Sequence, residues 1–200
     1  MTRLHYLLLF FLILIVSCKN KEINNEIISQ TINTLNMNIF SKEGNKLFSI
    51  KSPYSRYDSR INTFNLNETR IELFDDNQSQ YIITSDESKL SNNNKLLELN
   101  GNVNVKTVIK NEDKLYSNSF TWNIDNNEFL LIGNVRFENN TIILTSNKAI
   151  LNKTNNIIEF FSPVRYKVND RNNKSSYEVN SENAYYNIKT KSVSFKSNKE

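Results

Sequence analysis

Apolar and polar residues alternate along most of the chain, and the alternation recurs in units of similar design. Four units open at Ser85, Ser117, Ser146 and Ser181, and each of these serines is followed by Asn, Asp or Glu. A polar turn lies in the middle of each unit, and after it every second residue is apolar or small. Because alternate residues of a strand share one face, this period predicts strands with one apolar face. Two strands of about ten residues per unit, joined by a polar turn, predict an antiparallel meander of hairpins.

The second strand of three units has the clearest apolar face. In each of them, large apolar residues flank one small residue, which is Gly101, Gly133 or Ser162. A small residue at the same point of successive strands predicts a bend across the sheet, where a bulky side chain would clash. A long sheet bent in this way forms a trough. We therefore predict an all-β protein whose hairpin repeats form an open, bent β-jelly-roll, with a right-handed parallel solenoid as the structural alternative.

The apolar face of these strands is the candidate binding surface. Lining a trough, these side chains would form a groove for an apolar ligand, whereas in a closed sheet they would simply fill a core. The candidate groove residues are Leu97, Leu99, Val103, Val105, Phe129, Leu131, Val135, Phe137, Ile158, Phe160, Val164 and Tyr166.

The N-terminus has the features of an export signal. Arg3 precedes ten consecutive apolar residues, Leu7 to Val16, whereas a membrane-spanning helix needs about 20. The run ends in Ile15-Val16-Ser17-Cys18, which resembles a bacterial lipobox, the motif in which the cysteine is acylated. We therefore predict lipidation at Cys18, with an uncleaved anchor helix as the alternative. Both readings place the rest of the chain on the outer side of the inner membrane.

These signals divide the chain into three parts. Residues 1–18 are predicted to be a lipoprotein-type signal segment. Residues 19–40 are polar with scattered Ile and are predicted to be a tether. Residues 41–200 are predicted to form a single β domain, which agrees with the usual size of one domain.

Composition excludes several classes of function. The net charge of +4 comes from Lys and Arg scattered among Asp and Glu, which indicates a solvated surface and no nucleic-acid partner. His5 is the single histidine and Cys18 the single cysteine, and both lie in the predicted signal segment. Zinc sites, Cys-His or Ser-His-Asp triads and CxxC redox centres need residues that the remaining chain lacks. We predict no catalytic residue, no metal site, no cofactor and no enzymatic activity.

Several segments together resemble the LptC/OstA family of lipopolysaccharide-transport proteins. The segment from Phe48 to Tyr54 is similar to the start of an LptC domain. Glu98–Val105 and Leu131–Phe137 are similar to the L-x-G-N-V element of OstA-type repeats, and the serines that open the units match the same repeats. The resemblance covers roughly residues 41–200. It departs from the family pattern where a lipobox replaces the N-terminal membrane helix, and where Ser162-Pro163-Val164 replaces the third G-N-V.

The resemblance implies a role in a periplasmic bridge that binds lipopolysaccharide in its groove and passes it along. Family members join end to end by pairing of edge strands. We expect the strands of about residues 46–57 to pair with the periplasmic domains of an inner-membrane ABC transporter. We expect the strands of about residues 177–196 to pair with an LptA-like bridge protein. The lipid anchor or N-terminal segment would hold the domain on the periplasmic face of the inner membrane.

Two other functions fit parts of the sequence. A structural β-repeat lipoprotein would act as a scaffold that binds only proteins, and its apolar residues would fill a closed core. A polysaccharide lyase on a β-solenoid would need Asp, Arg or Lys gathered on one sheet face, and the sequence shows no such face.

Overall fold

The computed structural model describes residues 29–91, 93–108, 113–126, 128–168 and 177–196. These residues form eleven antiparallel strands in one sheet, ordered as they follow each other in the chain, and they include no helix. The strands are β1 (Ser29–Phe40), β2 (Lys46–Asp58), β3 (Thr63–Asp75), β4 (Gln78–Ser91), β5 (Leu96–Thr107), β6 (Lys114–Asn123), β7 (Glu128–Glu138), β8 (Ile142–Asn152), β9 (Ile157–Val168), β10 (Glu178–Asn187) and β11 (Ser192–Lys196). The predicted antiparallel meander is confirmed, and the parallel solenoid is wrong.

Turn chemistry explains where the hairpins reverse. Asn93 and Asn94 between β4 and β5 have φ of +53° and +65°, and Asn156 between β8 and β9 has φ of +58°. Asparagine tolerates this left-handed conformation better than other residues with a side chain. The strands between the turns alternate β-branched, aromatic and polar residues, which suits a sheet with one buried face.

Residues 29–40 form β1 and not the tether predicted for them. Leu35, Met37 and Ile39 alternate along β1 and pack, partly buried, against the core. This short period-2 pattern is the signal that the sequence interpretation missed. Because β1 pairs along β2, the segment 46–57 is an inner strand and not the expected sheet edge. The edges of the described sheet are β1 and β11.

Strand pairing is interrupted along a line through the middle of the sheet, which we call the crease. A register shift recurs there in the consecutive pairs from β4–β5 to β9–β10. Gly101 and Gly133 lie on the crease with φ of +73° and +79°, and Ser162 lies there before the cis Pro163. A Cβ atom on Gly101 would lie 2.6 Å from Asp86 Oδ2. Glycine is required at this position both by the backbone conformation and by the close approach of β4.

The serines that open the repeats also lie on the crease. The hydroxyls of Ser117, Ser146 and Ser181 each donate a hydrogen bond of 2.8 Å to the backbone carbonyl two residues later. Ser52 makes the same bond at 2.7 Å, whereas the Ser85 hydroxyl is buried without a hydrogen-bond partner. The hydroxyls of Ser117, Ser146 and Ser181 supply hydrogen bonds where the strand ladder is interrupted, which explains the serine in three of the four repeats.

The crease divides the sheet into two half-sheets. Half-sheet I ends in the connections that follow odd-numbered strands, such as β5–β6 and β7–β8, and we call this end rim I. Half-sheet II ends in the connections that follow even-numbered strands, such as β8–β9 and β10–β11, and we call this end rim II.

Side chains of the two half-sheets meet although their strands are not neighbours in the sheet. Phe48 of β2 in half-sheet I packs edge-to-face on Trp122 of β6 in half-sheet II, with ring centroids 5.2 Å apart. Phe137 of β7 in half-sheet I lies 4.3 Å from Tyr186 of β10 in half-sheet II. The sheet is therefore folded over along the crease, and a single hydrophobic cluster fills the space between the half-sheets.

Candidate binding interior

All twelve predicted groove residues are buried, and they face the space between the half-sheets. Half-sheet II contributes Leu97, Leu99, Phe129, Leu131, Ile158 and Phe160. Half-sheet I contributes Val103, Val105, Val135, Phe137, Val164 and Tyr166. The predicted face of these strands is thus the inner face of the sheet on both sides of the crease.

The structure also brings in side chains beyond the twelve predicted groove residues. They come from the even-numbered strands and from the N-terminal part of the sheet, and all are buried. They include Phe48, Ile50, Leu66, Ile71, Leu73, Ile83, Leu90, Leu115, Phe120, Trp122, Leu144, Leu151 and Tyr186. The interior is therefore built by nearly the whole length of the sheet, not by three strands.

The even-numbered strands contributed no residue to the predicted groove because their period breaks at the crease. In β6 the inner residues are Leu115 and Ser117 before the crease, but Phe120 and Trp122 after it. The step from Ser117 to Phe120 is three residues, whereas the steps within each series are two. Since a shift of one residue moves every following side chain to the other face, a fixed period of two cannot find both halves of such a strand.

The interior is closely filled by protein side chains. Phe137 contacts Tyr186, and its ring centroid is 6.3 Å from that of Phe160. An apolar cleft at one place between the half-sheets has about 310 Å³ of empty space, including space open to solvent. Bound lipid would therefore have to move the half-sheets or displace side chains.

The C-terminal end of the interior is less covered. Tyr166 of β9 lies 6.2 Å from Tyr177 and 5.4 Å from Phe195 of β11, measured between ring centroids. Tyr177 and Phe195 are 58% and 41% exposed, whereas Tyr166 is 9% exposed. Burial raises the pKa of Tyr166, and its hydrogen bond with Tyr177 raises it further. Aromatic surface thus extends from the interior to the β11 edge.

A polar cluster joins the two rims. Asp113, just before β6 on rim I, forms an ion pair with Lys191, which lies between β10 and β11 on rim II. The Tyr186 hydroxyl donates a 3.4 Å hydrogen bond to the same carboxylate. The Asn139 side-chain amide, after β7 on rim I, donates to the Tyr186 oxygen at 3.1 Å.

The outer face of the sheet is polar beside the predicted groove. Arg136, the neighbour of Phe137, is exposed and donates two hydrogen bonds of 2.7 and 3.0 Å to Glu138 Oε2. This guanidinium holds the pKa of Glu138 below its usual range. The contrast between Arg136 and buried Phe137 agrees with the predicted alternation of the strand.

Some predictions fall outside the described residues. Cys18 and the predicted signal segment are among them, so lipidation stays a prediction. Within the described residues, no helix is long and apolar enough to cross a membrane. No group of three or more His, Cys, Asp or Glu in that part of the chain could hold a metal ion.

Comparison with known proteins places the chain in a family. Residues 5–130 match the family described as "Lipopolysaccharide-assembly, LptC-related", and residues 104–200 match the OstA-like protein family. No curated protein sequence matches the chain. A solved structure similar to it is LptH from Pseudomonas aeruginosa, described as the LptA homologous periplasmic component of the lipopolysaccharide transport device. That similarity has a TM-score of 0.49 at 9% identity, over 66% of this chain and 93% of LptH.

The LptC-related match covers more than half of the chain, and the OstA-like match continues to its last residue. The chain therefore belongs to the LptC-related family of lipopolysaccharide-assembly proteins, and it is a periplasmic component of the lipopolysaccharide-transport bridge.

Proposed function

We propose that the acyl chains of lipopolysaccharide bind between the two half-sheets, against the twelve predicted groove residues. The observation that supports this proposal is one continuous apolar cluster that runs from β2 to β10 between the half-sheets. Each methylene group removed from water contributes about 0.8 kcal/mol, so a few acyl chains would bind strongly. A carrier role needs no catalytic residue, and we infer transport without catalysis.

Binding requires the half-sheets to separate, because side chains fill the space between them. The half-sheets are joined covalently only through the strands that cross the crease, and otherwise by contacts such as Phe137–Tyr186. The interrupted pairing along the crease makes it the natural hinge, since fewer ladder hydrogen bonds resist bending there. Acyl chains would then replace the side-chain contacts between the half-sheets.

The two edges of the sheet suit strand pairing with other bridge proteins. The β1 edge is twelve residues long and has no partner strand on its outer side in the described sheet. At the other end, β11 pairs with Asn183–Asn187 of β10, so the Glu178–Ser181 part of β10 has no partner strand on its β11 side among the described residues. Unpaired edges of this kind are extended by β-augmentation.

We assign β1 to the periplasmic domains of the inner-membrane ABC transporter, in place of the segment 46–57. The β10–β11 end, within residues 177–196, would pair with the LptA-like protein that receives the lipid. The exposed aromatic surface of Tyr177 and Phe195 supports this direction, because it continues the apolar interior toward that edge. The transporter would supply the energy for release of the strongly bound acyl chains.

Anchoring at Cys18 would place the domain on the periplasmic face of the inner membrane. We expect Cys18→Ser to abolish acylation, because serine offers no thiol for lipid attachment. Mass spectrometry of the N-terminal peptide tests this expectation. An unchanged lipid mass in the variant would contradict the lipobox interpretation and leave an uncleaved anchor helix.

A protein-binding scaffold is the second candidate function, and the close packing of the interior favours it. In-cell photo-crosslinking separates the two functions, with the probe at Phe137 and a control at its outward neighbour Arg136. We expect a lipopolysaccharide adduct at Phe137 and none at Arg136. Absence of an adduct at Phe137, and also at Leu99 and Phe160, would favour the closed scaffold over transport.

A further inference from the structure

The Asp113 cluster is unusual in its surroundings. Asp113 is 6% exposed and lies at the boundary of an interior that is otherwise lined by apolar side chains. Its ion-pair partner Lys191 is about half exposed and is 78 residues distant in the chain. This ion pair joins two segments that connect strands, and these segments lie on opposite rims of the folded sheet. It therefore resists separation of the two half-sheets directly.

Other described ion pairs differ from this one in position. Lys95 and Asp125 also form a pair between two connections, at 2.8 Å, but both belong to rim II. Arg136–Glu138 lies within one strand on the outer face. Neither of these pairs would be broken by separation of the half-sheets. Each is therefore a control for the loss of an ion pair that does not join the two rims.

An apolar cleft lies directly against the Asp113 cluster. It is the cleft of about 310 Å³, and Asp113 lines it together with Val105, Leu115, Phe137 and Ile158. Val105, Phe137 and Ile158 belong to the predicted groove, so the cleft leads into the proposed lipid-binding interior. Ile188, three residues before Lys191, lines the cleft from rim II.

We propose that this cleft is the entrance through which an acyl chain passes between the rims, and that the Asp113–Lys191 pair is the latch that closes it. The proposal rests on the proposed function, because it presumes that acyl chains bind in the interior. The ligand class is a lipid with an acyl chain, and lipopolysaccharide and phospholipid share this chemistry. When the latch opens, water solvates both charges, whereas opening an apolar closure exposes apolar surface.

The test measures the loading rate of the full-length chain with fluorescently labelled lipopolysaccharide. We expect Lys191→Met to load several-fold faster than the wild type, because the latch is removed while the length of the side chain is kept. Lys95→Met, which removes the control pair on rim II, should load at the wild-type rate. Equal rates for Lys191→Met and the wild type would overturn the latch.

A cross-link between the rims tests the entrance in a second way. In a Cys18→Ser background, Asp113→Cys and Lys191→Cys are joined by a short bismaleimide, and loading is compared with the same protein before cross-linking. We expect the cross-link to slow loading at least tenfold. Unchanged loading after complete cross-linking would overturn the entrance, because lipid would then enter elsewhere.

Two further outcomes separate this proposal from the proposed function. If the wild-type chain binds no labelled lipopolysaccharide at any time, the proposed function fails and the entrance fails with it. If the wild type binds lipid but neither variant changes its loading, the entrance alone fails. A parallel assay with vesicles of labelled phosphatidylglycerol shows which source of acyl chains uses the entrance.

Discussion

The folded sheet is closed in two chemically different ways. Toward the N-terminus, Phe48 and Trp122 pack edge-to-face and bring the half-sheets together through apolar contact. Toward the C-terminus, the charged and polar groups of Asp113, Lys191, Tyr186 and Asn139 join the rims. Both closures connect strands that are distant in the sheet, yet one excludes water and the other is partly solvated.

The difference indicates which of the two closures opens. Separating Phe48 from Trp122 would expose two large rings, which costs free energy in proportion to their area. Separating Asp113 from Lys191 exposes groups that water solvates well, and Lys191 is already half exposed. The apolar closure therefore suits a permanent joint, and the polar closure suits a reversible one.

The largest expected effect comes from breaking the apolar closure. We expect Trp122→Ala to lower the free energy of unfolding by about 3–5 kcal/mol, because it leaves a cavity between the half-sheets. The loss should be the same at low and high salt, since no charge is involved. Urea denaturation measures it, with Trp122→Phe as the conservative control. A loss below about 1 kcal/mol would mean that the Phe48–Trp122 contact does not hold the two half-sheets together.

Both closures depend on the bend of the sheet along the crease. A substitution at Gly133 tests whether close packing is needed there. We expect Gly133→Val to destabilise the fold by about 2–5 kcal/mol, from left-handed backbone strain and from contact with Asn118. A Cβ atom on Gly133 would lie 2.8 Å from Asn118 Nδ2. Gly44→Val is the matched control, because Gly44 also has positive φ but no atom within 4 Å of its Cβ position. Chemical denaturation measures the free energy of unfolding of both variants. Equal losses would show that close packing at the crease does not contribute to the effect.

A smaller effect is expected when the polar closure is broken. We expect Lys191→Met to lower the free energy of unfolding by about 1–2 kcal/mol at low salt, because buried Asp113 loses its charged partner. Salt screens the charge of the half-exposed Lys191, so the difference from the wild type should shrink at high salt. Thermal and urea unfolding at two salt concentrations measure this change. A loss that does not depend on salt would show that packing, not charge, joins the rims here.

The smallest expected effect concerns Tyr81, which lines the cleft beside Asp113. Burial raises the pKa of the Tyr81 phenol, and the Asp113 and Asp75 carboxylates raise it further. Because the pKa is higher in the folded state, the folded protein holds the phenol proton more tightly than the unfolded chain. This contribution is complete below the unfolded pKa of about 10 and is lost as pH rises through the folded pKa. We expect the free energy of unfolding to fall less for Tyr81→Phe than for the wild type between neutral and strongly alkaline pH. Urea titrations at both pH values measure this, and an identical fall in both proteins would contradict the prediction.

The odd-numbered strands could be predicted from the sequence because their period survives the crease. Leu97, Leu99, Val103 and Val105 keep one parity across Gly101, so a simple alternation identifies both halves of β5. In β6, β8 and β10 the parity changes at the crease, and the buried Phe120, Leu144 and Tyr186 were not among the predicted groove residues. The tether prediction failed for a related reason: the apolar pattern of β1 is short, and polar residues surround it.

By itself, the sequence determined the strand lengths, the turns, the antiparallel order and the bend, because these depend on local periodicity and on residues such as Gly101 that fit a special backbone conformation. Only the tertiary structure decided which side chains meet across the interior. The pairs Phe48–Trp122 and Asp113–Lys191 join strands that are separated by several others in the sheet. Such contacts depend on how far the sheet folds and twists along the crease, a property that is summed over many strands and that no local pattern specifies.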